Sequence, residues 1–191
     1  MLRITGYSDK YQAFPGEKIQ FYVNSEKKEN YYFYIGRCIP YKKFDLLVEA
    51  FNKNGKTLVI ATNTDNALYR DLKKKSRDNI IWKFDATREE IQTYFSQAKA
   101  FLFPPEEDFW LVPLEAMACG TPVIAYGKWG ALETVLENKT GIFFPSQTSN
   151  SLNKAIENFE KIQFTTQEIR EHDETFDKKI LTIGTLKTAN K

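Results

Sequence analysis

The sequence contains few of the side chains that most often bind metals or move protons. Its 191 residues include a single histidine, His172, and two cysteines, Cys38 and Cys119, which stand far apart in the chain. Structural zinc sites and disulfide frameworks use closely spaced cysteines and histidines, and that spacing is absent. The two thiols are therefore predicted to be reduced and packed in the interior. His172 belongs to no catalytic motif, which favours a surface or packing role.

Charge and hydrophobic runs argue against two further classes of protein. The formal net charge of +2 gives no strong attraction to nucleic acid or to a membrane surface. No apolar run approaches the ~20 residues that span a bilayer. The N-terminal stretch MLRITGYSDKY lacks the apolar segment of a secretory signal. We therefore expect a cytoplasmic chain with no nucleic-acid partner and no integral membrane segment.

Common nucleotide-binding motifs are also missing. No G-x-G-x-x-G follows a predicted strand, and no Asp-x-Asp pair of the kind used by metal-dependent sugar transferases is present. The segment AFNKNGKT, Ala50 to Thr57, fits a relaxed phosphate-loop pattern, but such a loop must follow a strand and open a helix. Here a helix is predicted to end near Asn54 and a strand to begin at Thr57, so Gly55 is interpreted as a helix C-cap. The sequence thus predicts neither a metal site nor a cofactor.

From Tyr31 onward, short apolar runs alternate with longer helical patterns. The predicted strands are Tyr31–Ile35, Thr57–Ala61, Asn79–Phe84, Ala100–Phe103, Pro122–Ala125 and Gly141–Phe144. The predicted helices are Lys43–Asn54, Asn66–Ser76, Arg88–Ala98, Val112–Cys119, Ala131–Glu137 and Ser149–Lys161. Nearly continuous apolar strands separated by helices indicate an α/β fold, a doubly wound parallel sheet of Rossmann-like type with about six βα units.

Both ends of the chain depart from this alternation. Residues 1–30 predict a short N-terminal β-hairpin or extension, two strands around a Pro-Gly turn that either extend the sheet edge or form a small separate hairpin. Residues 31–172 are predicted to form the Rossmann-like domain, with a last helix from Gln163 to His172, and residues 173–191 a C-terminal tail. Two boundaries carry specific signals, a capping box of Thr87 with Glu90 and a C-terminal cap at Gly120.

A glycine and two cations follow the first predicted parallel strand, in the run GRCIPYKKFDLLVEAF. In open α/β sheets, ligands bind outside the carboxyl ends of the strands, where Gly36, Arg37 and Lys42 are expected. Arginine offers a fork to phosphate oxygens, lysine adds a point charge, and a helix N-terminus adds partial positive charge. The group suits a diphosphate. The alternative is that both cations are ordinary surface residues.

Two glutamates flank the start of the fourth predicted helix in EEDFWLVPLEAMACGTPVIA. Glu107 follows the fourth strand, and Glu115 lies one turn into the helix. A carboxylate beside a packed sheet needs hydrogen-bond donors, and vicinal sugar hydroxyls can supply them. The alternative is that Glu107 only complements the helix dipole and Glu115 faces solvent.

These motifs together carry a resemblance. The runs GRCIPYKKFDLLVEAF, EEDFWLVPLEAMACGTPVIAYGKWGALETV and TGIFFP, with their Glu-x7-Glu spacing, are similar to the C-terminal, donor-binding domain of retaining GT-B glycosyltransferases of family 4, the group 1 enzymes. Among these, the chain most resembles mannosyltransferase-like members that build bacterial surface polysaccharides. The resemblance covers about Tyr31 to Lys161 and makes peripheral association with the inner membrane face an alternative location.

The resemblance implies a role for each matching residue. Arg37 and Lys42, beside Gly36, hold the donor diphosphate, Glu107 binds hydroxyls of the transferred sugar, and Glu115 binds the ribose. Backbone amides of Phe109, Trp110 and Leu111 meet the sugar and phosphate. The implied donor is a nucleotide sugar, GDP-mannose, transferred with retention of configuration and without a metal. The acceptor-binding N-terminal domain has no counterpart here, so the resemblance implies an isolated chain inactive until a separate acceptor domain completes it.

Three features differ from the family pattern. The acceptor domain is missing, tryptophans stand at Trp110 and Trp129 where glycine is usual, and the loop ATNTDN replaces a glycine-containing loop. A tryptophan there either covers the donor pocket, stacks on the ligand or packs outside the site. An alternative function is therefore a catalytically inactive interaction module with the same fold.

Overall fold

Parallel strands and helices alternate along the chain in a computed structural model, which describes residues 28–107, 111–128 and 130–176. The strands are β1 (Tyr32–Ile35), β2 (Leu58–Thr62), β3 (Ile80–Phe84), β4 (Ala100–Phe103), β5 (Val123–Tyr126) and β6 (Gly141–Phe144). The helices are α1 (Phe44–Asn54), α2 (Ala67–Lys75), α3 (Arg88–Gln97), α4 (Leu111–Ala118), α5 (Ala131–Thr134) and α6 (Ser149–Phe159). Residues 166–176 form a further helix, α7, which begins three residues after the start of the predicted helix Gln163–His172 and reaches four residues beyond its predicted end.

The sheet has six strands in the order β3-β2-β1-β4-β5-β6, and every neighbouring pair is parallel. This confirms the predicted doubly wound α/β fold. Helix α1 packs against α2 and α6, whereas α4 packs against α3 and α5, so two groups of helices cover the two faces. The hairpin predicted within residues 1–30 and the tail beyond 176 lie outside the described residues.

The central strand β1 shows why the apolar runs form buried strands. Its side chains alternate between the two faces, and all four of its residues are buried. Tyr34 packs edge-on against Phe44 of α1, with ring centroids 4.9 Å apart. Phe33 packs against Phe95 of α3 on the other face, with centroids 5.0 Å apart. A strand covered on both sides has no solvent face, hence its unbroken apolar sequence.

Helix ends follow the predicted local chemistry. Thr87 and Glu90 make the reciprocal hydrogen bonds of a capping box at the start of α3. Gly55 ends α1 and Gly120 follows α4, both in the left-handed conformation at φ of 69° and 71°. The phosphate-loop match is accordingly a helix end followed by a strand, and Lys56 forms an ion pair with Glu160.

Helix α5 is shorter than predicted, and the prediction of Ala131–Glu137 is wrong at its C-terminal end. The helix ends at Thr134, because the next residues enter a hydrogen-bonded turn. The amide of Leu136 donates to the hydroxyl of Thr140, and the Thr140 amide donates to the Leu136 carbonyl. Asn138 takes a positive φ of 62° within this turn. Side-chain to backbone bonds of this kind compete with helix continuation.

Both cysteines are free and buried, as predicted. Within the three described ranges, no helix is both long and apolar enough to cross a membrane.

Candidate functional site

The candidate site lies where the strand order reverses. Strands β1 and β4 are neighbours, yet β1 connects through α1 to β2 on one side and β4 connects through α4 to β5 on the other. The loops leaving their carboxyl ends therefore diverge and open a crevice. Gly36, Arg37 and Lys42 lie on the loop after β1, and Glu107 lies on the loop after β4.

Lys42 and Glu107 meet across this crevice. The ammonium of Lys42 forms an ion pair with Oε1 of Glu107, and the side chains are only 17% and 15% exposed. No other described group donates a hydrogen bond to that buried oxygen. The Lys42 ammonium also lies 5.4 Å from the centre of the Tyr41 ring. Two opposite charges are thus held, largely out of water, at the junction of the two loops.

The loop after β1 is supported by the side chain of Tyr34. After Gly36 the chain makes a short 3₁₀ turn at Pro40–Lys42, and Lys43 takes a left-handed φ of 58° before α1 begins. Under this turn the hydroxyl of Tyr34 donates a hydrogen bond of 2.7 Å to the carbonyl oxygen of Lys42. Burial, and then the nearby Glu107 carboxylate, raise the pKa of Tyr34 well above its usual value, so the phenol stays protonated as a donor.

A second support for this loop comes from the segment after β2. Asn66 caps α2, since its side-chain oxygen accepts from the amide of Tyr69 at 2.8 Å. Its side-chain nitrogen donates to the carbonyl of Cys38 at 2.7 Å, which ties the two loops together. Neither Tyr34 nor Asn66 could be predicted as a supporting residue, because their partners are backbone carbonyls whose positions depend on the loop path. The asparagine before a helix was the only available signal.

Glu115 lies on α4, the fifth residue of that helix, and is partly buried. Within the described residues it has no hydrogen-bond or ion-pair partner. Burial raises its pKa to about 8, and the positive charge of Arg88, at the start of α3, acts in the opposite direction. A carboxyl group without a side-chain partner has its hydrogen-bonding capacity available to a ligand.

The remaining predicted site residues are placed less completely. Arg37 is exposed and makes no ion pair within the described ranges, so the structure does not bring its charge into contact with Lys42 or Glu107. Gly36 is buried, and its amide donates to the carbonyl of Ala61. Leu111 is the first residue of α4. Phe109, Trp110 and Trp129 lie outside the described residues.

The arrangement suits a polar ligand that carries both an anion and hydroxyl groups. Arg37 and Lys42 follow β1 in the chain, Glu107 and Glu115 follow β4, and the structure brings Lys42 and Glu107 together. In the part of the chain that the structure describes, no three His, Cys, Asp or Glu side chains converge in the way that a metal ion needs.

Comparison with known sequences matches this chain to one family. The family model described as "Glycosyl transferases group 1" covers residues 16–179. The chain is 27% identical over 154 residues to the O-antigen chain mannosyltransferase RfbU of Salmonella typhimurium, covering 74% of this chain and 41% of RfbU. It is 25% identical over 138 residues to a GDP-mannose-dependent phosphatidylinositol monomannoside mannosyltransferase of Mycolicibacterium smegmatis, covering 64% of this chain and 36% of that enzyme.

Solved structures show the same fold. Sucrose-phosphate synthase from Thermosynechococcus elongatus superposes with a TM-score of 0.72 and 25% identity, over 87% of this chain and 46% of that one. HepE from Anabaena, in complex with UDP and glucose, gives a TM-score of 0.66 at 19% identity, over 85% and 48%. The chain spans less than half the length of these relatives and of the solved structures.

Proposed function

Because the chain belongs to the group 1 glycosyl transferases, we propose that it is the donor-binding half of a glycosyltransferase. It binds a nucleoside diphosphate sugar in the crevice between β1 and β4. The observation that carries this proposal is the Lys42–Glu107 ion pair, which places a cation and an anion together at the point of strand-order reversal. The relatives named as mannosyltransferases support a donor of the GDP-mannose type.

The proposal gives each candidate side chain a role in binding the donor. Arg37 and Lys42 bind the diphosphate, since a guanidinium fork and an ammonium both match phosphate oxygens. Glu107 accepts hydrogen bonds from hydroxyls of the sugar, and Glu115 accepts them from the ribose. Backbone amides of Phe109, Trp110 and Leu111 are proposed to donate to the sugar and the phosphates.

The chemistry follows from these positions. When the bond between the sugar and the diphosphate breaks, negative charge develops on the departing nucleoside diphosphate. The cations beside β1 stabilise that charge, and Lys42, which its ion pair with Glu107 already holds in place, needs little reorganisation. The transfer proceeds with retention of configuration and needs no metal ion, since the two side-chain cations supply the positive charge.

The acceptor requires protein outside these 191 residues. In the proposal a second, acceptor-binding half closes over the crevice, and this chain alone binds donor without transferring it. The setting is the synthesis of bacterial surface polysaccharide, at the cytoplasmic side of the inner membrane. The support for this is the O-antigen enzyme among the relatives and the share of each relative that the chain covers.

The test is calorimetric titration of the purified chain with GDP and with UDP. We expect binding of GDP, more weakly of UDP, and a tenfold or greater loss of GDP affinity in Lys42→Ala, on the order of 1.4 kcal/mol. Lys53→Ala is the matched control, because Lys53 forms an exposed ion pair with Glu49 on α1. The absence of heat with either nucleotide at millimolar concentration would contradict the proposal.

A further inference from the structure

Tyr34 carries a buried polar group that the packing of β1 does not require. Its side chain is 1% exposed, and its ring packs on Phe44 and stacks at 6.3 Å on Phe101. A phenylalanine would supply the same aromatic contacts. A buried hydroxyl costs free energy unless it is hydrogen-bonded, and here its partner is the carbonyl oxygen of Lys42 at 2.7 Å.

The turn that carries Lys42 is closed by two backbone hydrogen bonds, from the amides of Lys42 and Lys43 to the carbonyls of Ile39 and Pro40, and neither of them involves the Lys42 carbonyl. Lys43 has a left-handed backbone, which is unfavourable for a residue with a Cβ atom, and α1 starts without a side-chain cap. The backbone ladder of α1 begins at the Lys43 carbonyl, which accepts from the amide of Leu47. No described backbone amide donates to the Lys42 carbonyl, so the Tyr34 hydroxyl is the group that satisfies it.

We propose that Tyr34 is a positioning residue for donor binding: its hydroxyl holds the Lys42 carbonyl and so places the Lys42 ammonium against Glu107 and beneath the donor diphosphate. This inference rests on the proposed function. The hydroxyl acts from inside the sheet and touches no ligand. It fixes the backbone from which the lysine side chain extends, and so reduces the conformational freedom that ligand binding must otherwise remove.

Tyr34→Phe tests the proposal, because it removes the hydroxyl and keeps the ring. Tyr32→Phe is the matched control. Tyr32 lies on the same strand, is 1% exposed, and its hydroxyl donates at 3.0 Å to Glu160, which follows α6. Both variants lose one hydrogen bond of a buried tyrosine, so a general loss of stability affects both. Only Tyr34→Phe changes the Lys42 turn.

The first measurement is amide hydrogen exchange without ligand. We expect faster exchange in Tyr34→Phe for peptides covering residues 36–44, with no change there in Tyr32→Phe. The second is nucleotide affinity. We expect Tyr34→Phe to weaken GDP binding about fivefold. It should weaken GMP binding less, because GMP lacks the second phosphate. In a Lys42→Ala background, Tyr34→Phe should cause no further loss of GDP affinity.

The outcomes separate the two proposals. If the wild type binds GDP and the Tyr34→Phe and Tyr32→Phe variants have the same GDP affinity as each other, the positioning role is wrong and the proposed function stands. If the wild type binds no nucleotide, the proposed function fails and the positioning role fails with it. Unchanged exchange of residues 36–44 in Tyr34→Phe also overturns the inference, whatever the affinities.

Discussion

Glu115 shows what one side chain contributes when the protein gives it no partner. Burial raises its pKa to about 8, so near neutral pH the folded chain mainly holds this group protonated. In the unfolded chain the same carboxyl ionises near the ordinary value of 4.5. Folding therefore favours the protonated form. Its contribution to stability is fully present below the unfolded pKa and is lost as pH rises through about 8.

This loss of stability with rising pH predicts that Glu115→Gln changes the pH dependence of unfolding. Wild type and variant should have similar free energies of unfolding near pH 4, where the carboxyl is protonated in both states. At pH 8 the variant should be more stable by on the order of 4 kcal/mol, because the carboxyl ionises near 4.5 in the unfolded wild type and only near 8 in the folded one, whereas glutamine does not ionise. Urea denaturation at several pH values measures this difference. A constant difference between the two proteins across this range would contradict the raised pKa.

The sequence placed Lys42 and Glu107 near one another but did not predict their contact. Lys42 and Glu107 were predicted to share a rim, because loops at the carboxyl ends of parallel strands share one edge of the sheet. That they form an ion pair with each other depends on side-chain positions which no spacing specifies. The contact of Tyr34 depends on the left-handed turn at Lys43, which the sequence marks with no glycine.

At the scale of the element, two glycines with the same backbone conformation have different surroundings. Gly55 after α1 and Gly120 after α4 have φ of 69° and 71°. A Cβ atom at Gly55 meets no heavy atom within 4 Å, whereas at Gly120 it would lie 2.2 Å from the Cγ2 of Thr166 on α7. The end of α4 is therefore pressed against α7.

We expect alanine at these two positions to lower the free energy of unfolding by different amounts. Gly55→Ala should cost about 1 kcal/mol, the penalty of a left-handed L-residue. Gly120→Ala should reduce the free energy of unfolding by clearly more, since α7 must also move. It should also speed hydrogen exchange of the amides of residues 166–176. Thermal unfolding and hydrogen exchange measure the two effects. Equal costs would show that α7 is not packed against this cap.

Element types were predictable and some of their ends were not. All six strands begin and end within one residue of the predicted bounds. Five of them are buried along all or nearly all of their length and so leave apolar runs, whereas the edge strand β3 is partly exposed. The end of α5 was not predictable from its amphipathic pattern. Its last predicted residues, up to Glu137, form a turn because the hydroxyl of Thr140 binds the Leu136 amide.

At the scale of the molecule, the described residues are organised around one six-stranded sheet. The buried core is a single cluster that runs from β3 to β6 and includes side chains from both helical layers. The alternation of strands and helices predicted a doubly wound sheet. The order of the strands could not be predicted from it, because no local pattern states that β4 lies beside β1.

A single core predicts a single unfolding transition. Trp82 reports on it, since its ring stacks at 6.1 Å on Phe44 and its indole nitrogen donates to Ser76. In a variant that keeps only this tryptophan, through Trp110→Phe and Trp129→Phe, fluorescence and far-UV circular dichroism should give the same urea midpoint. Separate midpoints would show that the two halves of the sheet unfold independently.

For the proposed donor, the ion pair at the reversal point would couple binding of the diphosphate to binding of the sugar. Lys42 and Glu107 neutralise one another. A diphosphate that drew the ammonium away would leave a buried carboxylate with no counter-ion, which is costly unless a sugar hydroxyl arrives with it. Under the proposed function, a nucleotide sugar would supply both partners at once, whereas the nucleoside diphosphate left after transfer would supply only one. The exchange would then favour binding of the intact donor and promote release of the product.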